Sequence, residues 1–169
     1  MDAFMDALVS GHTEIIPPEY DWFAPLLGDW DFDYFDGYNA SAPRQVKGEW
    51  LFRRVLNGSG IQDLFICPSR VTMEANPQPD GEYGAAIRMF NPVQGCYDMV
   101  YACEKYIKRL VFRMESGKLA GTVLDNPAEK WVFSEMTEDS FHWQNVTVLP
   151  DGTWKINSDV YAKRKYKKE

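Results

Sequence analysis

Histidine and cysteine are scarce, and neither falls in a pattern that binds metal. The chain holds only His12 and His142, far apart, and three cysteines, Cys67, Cys96 and Cys103, with no C-x-x-C pair. The closely spaced nitrogen and sulfur donors of a tetrahedral site are therefore missing. An odd cysteine count also suits reduced thiols of a cytosolic protein better than a secreted disulfide framework. Long hydrophobic runs are lacking too: no stretch approaches the roughly 20 apolar residues of a membrane helix. The opening Met1-Asp2-Ala3-Phe4-Met5-Asp6 carries acids where a signal peptide carries bases, and no apolar core follows. The expectation is a cytoplasmic protein with no membrane partner. The N-x-S/T triplets at Asn39, Asn57 and Asn145 then read as chance matches. Excess positive charge is absent as well. A net charge of −7 repels phosphate backbones and argues against a nucleic-acid partner. The one basic run, Lys163 to Lys168, reads as a solvated tail.

Nucleotide and nucleophile signatures are also wanting. Gly58-Ser59-Gly60 lacks the third glycine and the following helix of a dinucleotide fingerprint, and reads as a hairpin turn. Ser69 and Ser116 sit in ordinary loop sequence, with no nucleophile elbow around them. Asp29, Asp31 and Asp33 imitate the start of a calcium loop, but Tyr34 stands where the turn glycine belongs and Ala40 where the bidentate Glu belongs. No cofactor and no metal are expected.

Aromatic residues are abundant. The 169 residues include 6 Trp, 9 Tyr and 10 Phe, which favour strands and fill a roomy single core. Turn signals recur at Asp36-Gly37, Asn57-Gly58, Asp80-Gly81, Asn91-Pro92, Ser116-Gly117, Asn126-Pro127 and Pro150-Asp151-Gly152. Between them the chain alternates with period two. In Asp29-Trp30-Asp31-Phe32-Asp33-Tyr34, acids face one way and aromatics the other. Val46, Gly48, Trp50, Phe52, Arg54 and Leu56 share one face of a second strand. Trp154, Ile156, Ser158, Val160, Ala162 and Arg164 share one face of the last. Helix signals are confined to Met1–Val9, which would bury Phe4 and Leu8, and to a short turn over Asp21–Leu27 ended by Gly28. The proline-rich stretch Pro68 to Asp80 reads as the longest loop, hiding a short strand at Val71–Glu74 or forming a lid.

Regular turns and alternating strands predict an all-β fold with at least eight antiparallel strands. The expected form is a single antiparallel up-and-down calycin-like β-barrel with short N-terminal helical segments. Residues 1–27 form the N-terminal segment on or capping the barrel, 28–165 the barrel, and 166–169 a basic tail. Leu26-Leu27-Gly28-Asp29-Trp30 resembles the Gly-x-Trp opening of calycin barrels, the lipocalin and fatty-acid-binding group. With Arg88-Met89-Phe90-Asn91-Pro92, the Tyr97 to Tyr101 strand and Asp151-Gly152-Thr153-Trp154, the ordered set is similar to a family of uncharacterised, lipocalin-like bacterial domains. That resemblance implies a cupped barrel with a ligand cavity, and no agreed activity.

Candidate site residues are polar groups whose parity puts them among apolar ones. Asp63, Tyr101 and Arg54 are the candidate catalytic residues. Tyr34, Trp50, Phe52, Arg88, Tyr97, Glu135, Trp143 and Asn145 are the candidate ligand contacts. Inward charges need partners, because an unpaired buried charge costs several kcal/mol. Arg54 with Asp63 is the expected pair across a hairpin. His142 alternates with Phe141 and Trp143 and belongs outside. Apolar walls with a few convergent polar groups define a small-molecule site. Two functional classes follow. One is a cofactor-independent lyase, isomerase or cyclase acting on a small apolar or aromatic molecule. The alternative is a non-catalytic intracellular carrier or sensor of a hydrophobic ligand. Ile61–Ile66 and Cys96–Cys103 are apolar on both faces, so either the N-terminal segment or a second copy in a homodimer should cover that wall.

Overall fold

The computed structural model describes residues 2–11 and 15–166. Ten antiparallel strands follow a helix, α1 (Ala3–Val9), and two 3-10 turns, Pro18–Tyr20 and Ala24–Leu26. The strands are β1 (Gly28–Asp36), β2 (Arg44–Val55), β3 (Gly60–Cys67), β4 (Glu82–Asn91), β5 (Cys96–Ala102), β6 (Ile107–Glu115), β7 (Lys118–Val123), β8 (Glu129–Ser134), β9 (Ser140–Val148) and β10 (Trp154–Arg164). Each pairs with its sequence neighbours, and β1 pairs with β10 to close the barrel. Closure leaves no free sheet edge. His12 and residues 167–169 of the expected basic tail lie outside the described residues. No described helix is long and apolar enough to cross a membrane.

Alternation decides which face turns inward. Trp30 and Phe32 of β1 are buried, while the acids between them meet cations outside: Asp29 with Arg53 at 2.7 Å, Asp31 with Lys165 at 3.0 Å and Asp33 with Lys47 at 3.0 Å. The calcium-like row is thus a paired outer face. One end of the barrel is plugged by the N-terminal segment. Phe23 and Leu26 are fully buried there, Trp30 Nε1 donates to the Leu26 carbonyl at 2.7 Å, and the Tyr97 hydroxyl donates to the Tyr20 carbonyl at 2.7 Å. Each such buried apolar side chain contributes about 1.5–3 kcal/mol. Arg164 ties the last strand to this plug, donating to the Leu27 and Pro25 carbonyls and lying 4.1 Å above the Trp30 ring centroid. Gly28 has φ +123°, and a Cβ there would overlap that guanidinium.

Several sequence expectations are corrected. Phe4 is 71% exposed rather than buried, because α1 sits beside the β2–β3 turn, where the Leu56 amide donates to the Leu8 carbonyl. Leu56 itself leaves β2 with φ 53° and belongs to that turn. Val71–Glu74 is a turn and not a strand, its backbone bonds running locally from Thr72 and Met73 to Ser69. The parity of β10 breaks at a bulge between Ile156 and Ser158. Trp154 and Ile156 consequently pack against Ala120, Val132 and Val146, apart from the main core, while Ser158 lines the interior.

Candidate functional site

At the end opposite the plug the barrel holds a cavity of about 300 Å³. Its walls carry Tyr34, Trp50, Phe65, Tyr101, Trp131 and Trp143, with Met99 and Val46 between them. Its floor is Asp63 and Arg88, joined by a salt bridge with each side chain 1% exposed. Beneath that floor the guanidinium is enclosed by Phe23, Phe52, Phe112 and Phe133, with ring centroids 4.9 to 5.8 Å away. A cation on four ring faces gains attraction that partly offsets its lost hydration. Burial raises the Asp63 pKa above the ordinary carboxylate value, opposed by the Arg88 charge and by the nearby Trp50 N–H. Trp50 Nε1, Asp63 Oδ1 and Trp143 Nε1 nonetheless make no hydrogen bond of normal geometry.

Asp63 meets Arg88 and not Arg54, the expected partner. Pairing register does not choose between the two arginines, since both stand opposite Ile61, two places along β3 from Asp63. Arg54 is instead taken by Asp21 of the N-terminal segment at the plugged end. It does not line the cavity, and neither do Phe52 or Tyr97, which lie below the Asp63–Arg88 floor or at the plug. Glu135 follows β8 with φ 51°, and its side chain is 79% exposed beside His142. That left-handed turn takes it off the face carrying Trp131 and Phe133. His142 lies on the outer face, stacked on Tyr161 and bonded to Asp159 at 2.6 Å. Of the eleven candidates, Asp63, Tyr101, Tyr34, Trp50, Arg88, Trp143 and Asn145 come together around the cavity.

Parity also marks three residues that the sequence reading passed over. Glu82 stands two places before Gly84 on the inner face of β4. Its carboxylate accepts the Tyr101 hydroxyl at 2.7 Å and the Tyr106 hydroxyl at 2.7 Å. Burial first, then the Glu82 charge, hold both phenols protonated well beyond their ordinary range. A Cβ on Gly84 would overlap the Tyr101 ring, so glycine is what admits that ring against the wall. Lys108, two places before Leu110, donates to both oxygens of Glu129 at 2.6 and 2.7 Å. Burial works against the Glu129 charge, but Lys108, Asn145 and Trp131 outweigh it and hold the pKa below the usual value.

The loop between β3 and β4 contributes Gln78, Asp80 and Gly81 to the mouth. Arg44 grips it, making two hydrogen bonds to Asp80 at 2.8 Å while holding Asp36 with its other donors. From the opposite side Lys105 Nζ donates to the Pro79 and Gly81 carbonyls at 3.2 and 3.3 Å. Among the described residues, no three His, Cys, Asp or Glu side chains gather as a metal-ligand set.

A closed antiparallel barrel with a plugged end, an aromatic cavity and a polar floor is calycin-like in fold. Two solved structures share it at low sequence identity. Rv2717c from M. tuberculosis has TM-score 0.56 and 12% identity, over 89% of this chain and 99% of that one. The S-type phycobiliprotein lyase CPES from Guillardia theta has TM-score 0.57 and 10% identity, over 88% and 93%. No family model and no curated protein matches the chain. Likeness at such identity establishes the barrel architecture, and function has to be argued from the site.

Proposed function

We propose that the barrel binds one small apolar or aromatic molecule in its mouth cavity and acts on it as a cofactor-independent lyase or isomerase. The carrying observation is the cavity itself: three indoles and several further rings surround a floor of two buried charges. Apolar walls exclude water, and a few fixed polar groups orient the ligand. Asp63 is the group suited to moving a proton, because burial raises its pKa above the ordinary carboxylate value, while Arg88 steadies negative charge developing beside it. Tyr101 is not a free acid: its proton is already directed at Glu82. The fold shared with a phycobiliprotein lyase supports a ligand-handling or lyase role for a barrel of this shape.

A carrier or sensor is the second reading, favoured by one observation. Both charged floor groups are committed to each other at 1% exposure, which suits a structural layer. Native mass spectrometry of the purified protein, followed by incubation of the released ligand with fresh protein, separates the classes. Conversion that Asp63→Asn abolishes while binding persists supports the enzyme. A ligand returned unchanged supports the carrier, and absence of any bound or exchangeable ligand removes both.

A further inference from the structure

Charge pairing around the cavity says what kind of head group its occupant carries. Three cations at or near the cavity already have a carboxylate partner. Arg88 is held by Asp63 at the floor, Arg44 by Asp36 and Asp80 at the mouth, and Lys108 by both oxygens of Glu129. Among the described residues Lys105 is the lining cation with no carboxylate within salt-bridge reach; it is exposed at the rim of the mouth, where it donates to the Pro79 and Gly81 carbonyls. A carboxylate seated on Arg44, Arg88 or Lys108 would have to break one of these pairs, and at Arg88 it would strand Asp63 in a site with 1% exposure.

The anionic side is not balanced in the same way. Glu82 lines the cavity and, among the described residues, forms no ion pair and accepts only the phenol hydroxyls of Tyr101 and Tyr106. Two neutral donors fix the carboxylate in place without cancelling its charge. A carboxylate offers about four acceptor positions, so two remain open. Beside it, Tyr101 packs on Tyr106 and Trp131 with ring centroids 5.8 and 5.3 Å apart. Ring faces attract cations, and Lys108 already exploits the Tyr106 and Trp131 rings at 5.3 and 5.6 Å. A fixed carboxylate with aromatic neighbours is the recognition chemistry of a protonated amine.

We propose that the ligand is an aromatic amine or a similar organic cation, its positive group seated on Glu82 and its ring among Trp50, Trp131 and Trp143. This rests on the cavity being a ligand site, and it adds the charge of the occupant. It ranks free aromatic and fatty acids below the amine as ligands.

The test compares three probes of one shape by isothermal titration calorimetry: naphthylethylamine, naphthylethanol and naphthylacetate. The amine should bind tightest, about tenfold over the alcohol, as expected for one partly buried ion pair with ring contacts. The acetate should bind weakest. Glu82→Gln should erase the amine's advantage while leaving the alcohol's affinity unchanged, which also shows that the cavity is intact. Tyr106→Phe removes one donor but keeps the carboxylate, so the amine's advantage should persist or grow. Equal affinities, or an acetate that binds best, would overturn the head-group inference and leave the cavity reading standing. Failure of all three probes in wild-type protein would overturn the cavity reading, and this inference with it.

Discussion

Asp63 and Arg88 form a salt bridge across β3 and β4 in the middle of the barrel, separating an aromatic plug from an open cavity. Removing one member leaves the other charged, buried and alone, at a cost of about 3–5 kcal/mol. Arg88→Met and Asp63→Leu should each lower the urea midpoint strongly. The double variant should recover most of the loss, because an apolar pair needs no hydration. Equal or additive losses in the double variant would show that the two charges do not depend on each other.

Gly84→Ala tests the wall on which Tyr101 lies. The added methyl overlaps the phenol, so the ring must move and its bond to Glu82 must lengthen. Overpacking of this kind costs about 1–3 kcal/mol. Chemical denaturation should show that loss, together with weaker ligand binding. Tyr101→Phe in the same background should relieve little of the strain, because the ring carbons also collide. Full rescue by that second change would assign the clash to the hydroxyl alone.

Alkaline pH should destabilise the fold through the lining thiol and phenols, Cys67 and Tyr34 among them. Burial, followed by the Glu82 charge, pushes the Cys67 thiol from 9.0 up to about 12. Burial pushes the Tyr34 phenol from 10.0 up to about 12. A folded pKa above the unfolded one favours the folded state fully below the unfolded value, and that stability is lost as pH rises through the folded value. Unfolding free energy should therefore decline from pH 9 toward pH 12. Cys67→Ala should make the decline between pH 9 and pH 10 shallower, with Cys96, also raised by burial from 9.0, supplying what remains there. A thiol reagent at pH 8 should modify half-buried Cys103 before Cys67. Rapid labelling of Cys67 in native protein would contradict the assigned shift.

The outer wall of β2 to β6 supports a proposal of self-association. Leu51, Leu64, Ala85, Ala102 and Ile107 stand opposite one another in a single row across five strands, facing away from the cavity. Ile107 is 69% exposed and Val100 beside the row 41%, so the N-terminal segment does not cover them. We propose a second copy as the occupant. Sedimentation velocity at micromolar concentration should give a dimer, and Val100→Glu should give a monomer. A monomeric wild type removes the proposal.

Much of this molecule was readable from alternation. The Asp29–Tyr34 pattern sufficed to separate inside from outside, since side chains of a strand point to opposite faces at every step. Spaced turn residues sufficed for an antiparallel meander, and parity alone placed Asp63, Arg88, Tyr101 and Trp143 inside. The same rule applied to Glu82, Lys108 and Glu129 would have found them, but short apolar flanks hid their signal. Parity failed where the backbone leaves the regular strand. The bulge before Ser158 turned Trp154 and Ile156 outward, and the left-handed turn at Glu135 carried its carboxylate to the surface.

What the tertiary structure decided is height along the barrel axis. Parity says that a side chain faces the interior, but not whether it reaches the cavity, the floor or the plug. Those levels depend on the stagger between strands, which is fixed by long-range pairing and by what fills the closed end. Phe52, Arg54 and Asp63 all face inward from neighbouring strands. Yet Arg54 is drawn to Asp21 at the plug, Phe52 lies under Arg88, and only Asp63 meets the cavity. The partner of each buried charge was settled by what stands around it in space: Asp21 of the plug takes Arg54, and Asp63 takes Arg88, although both arginines stand opposite Ile61.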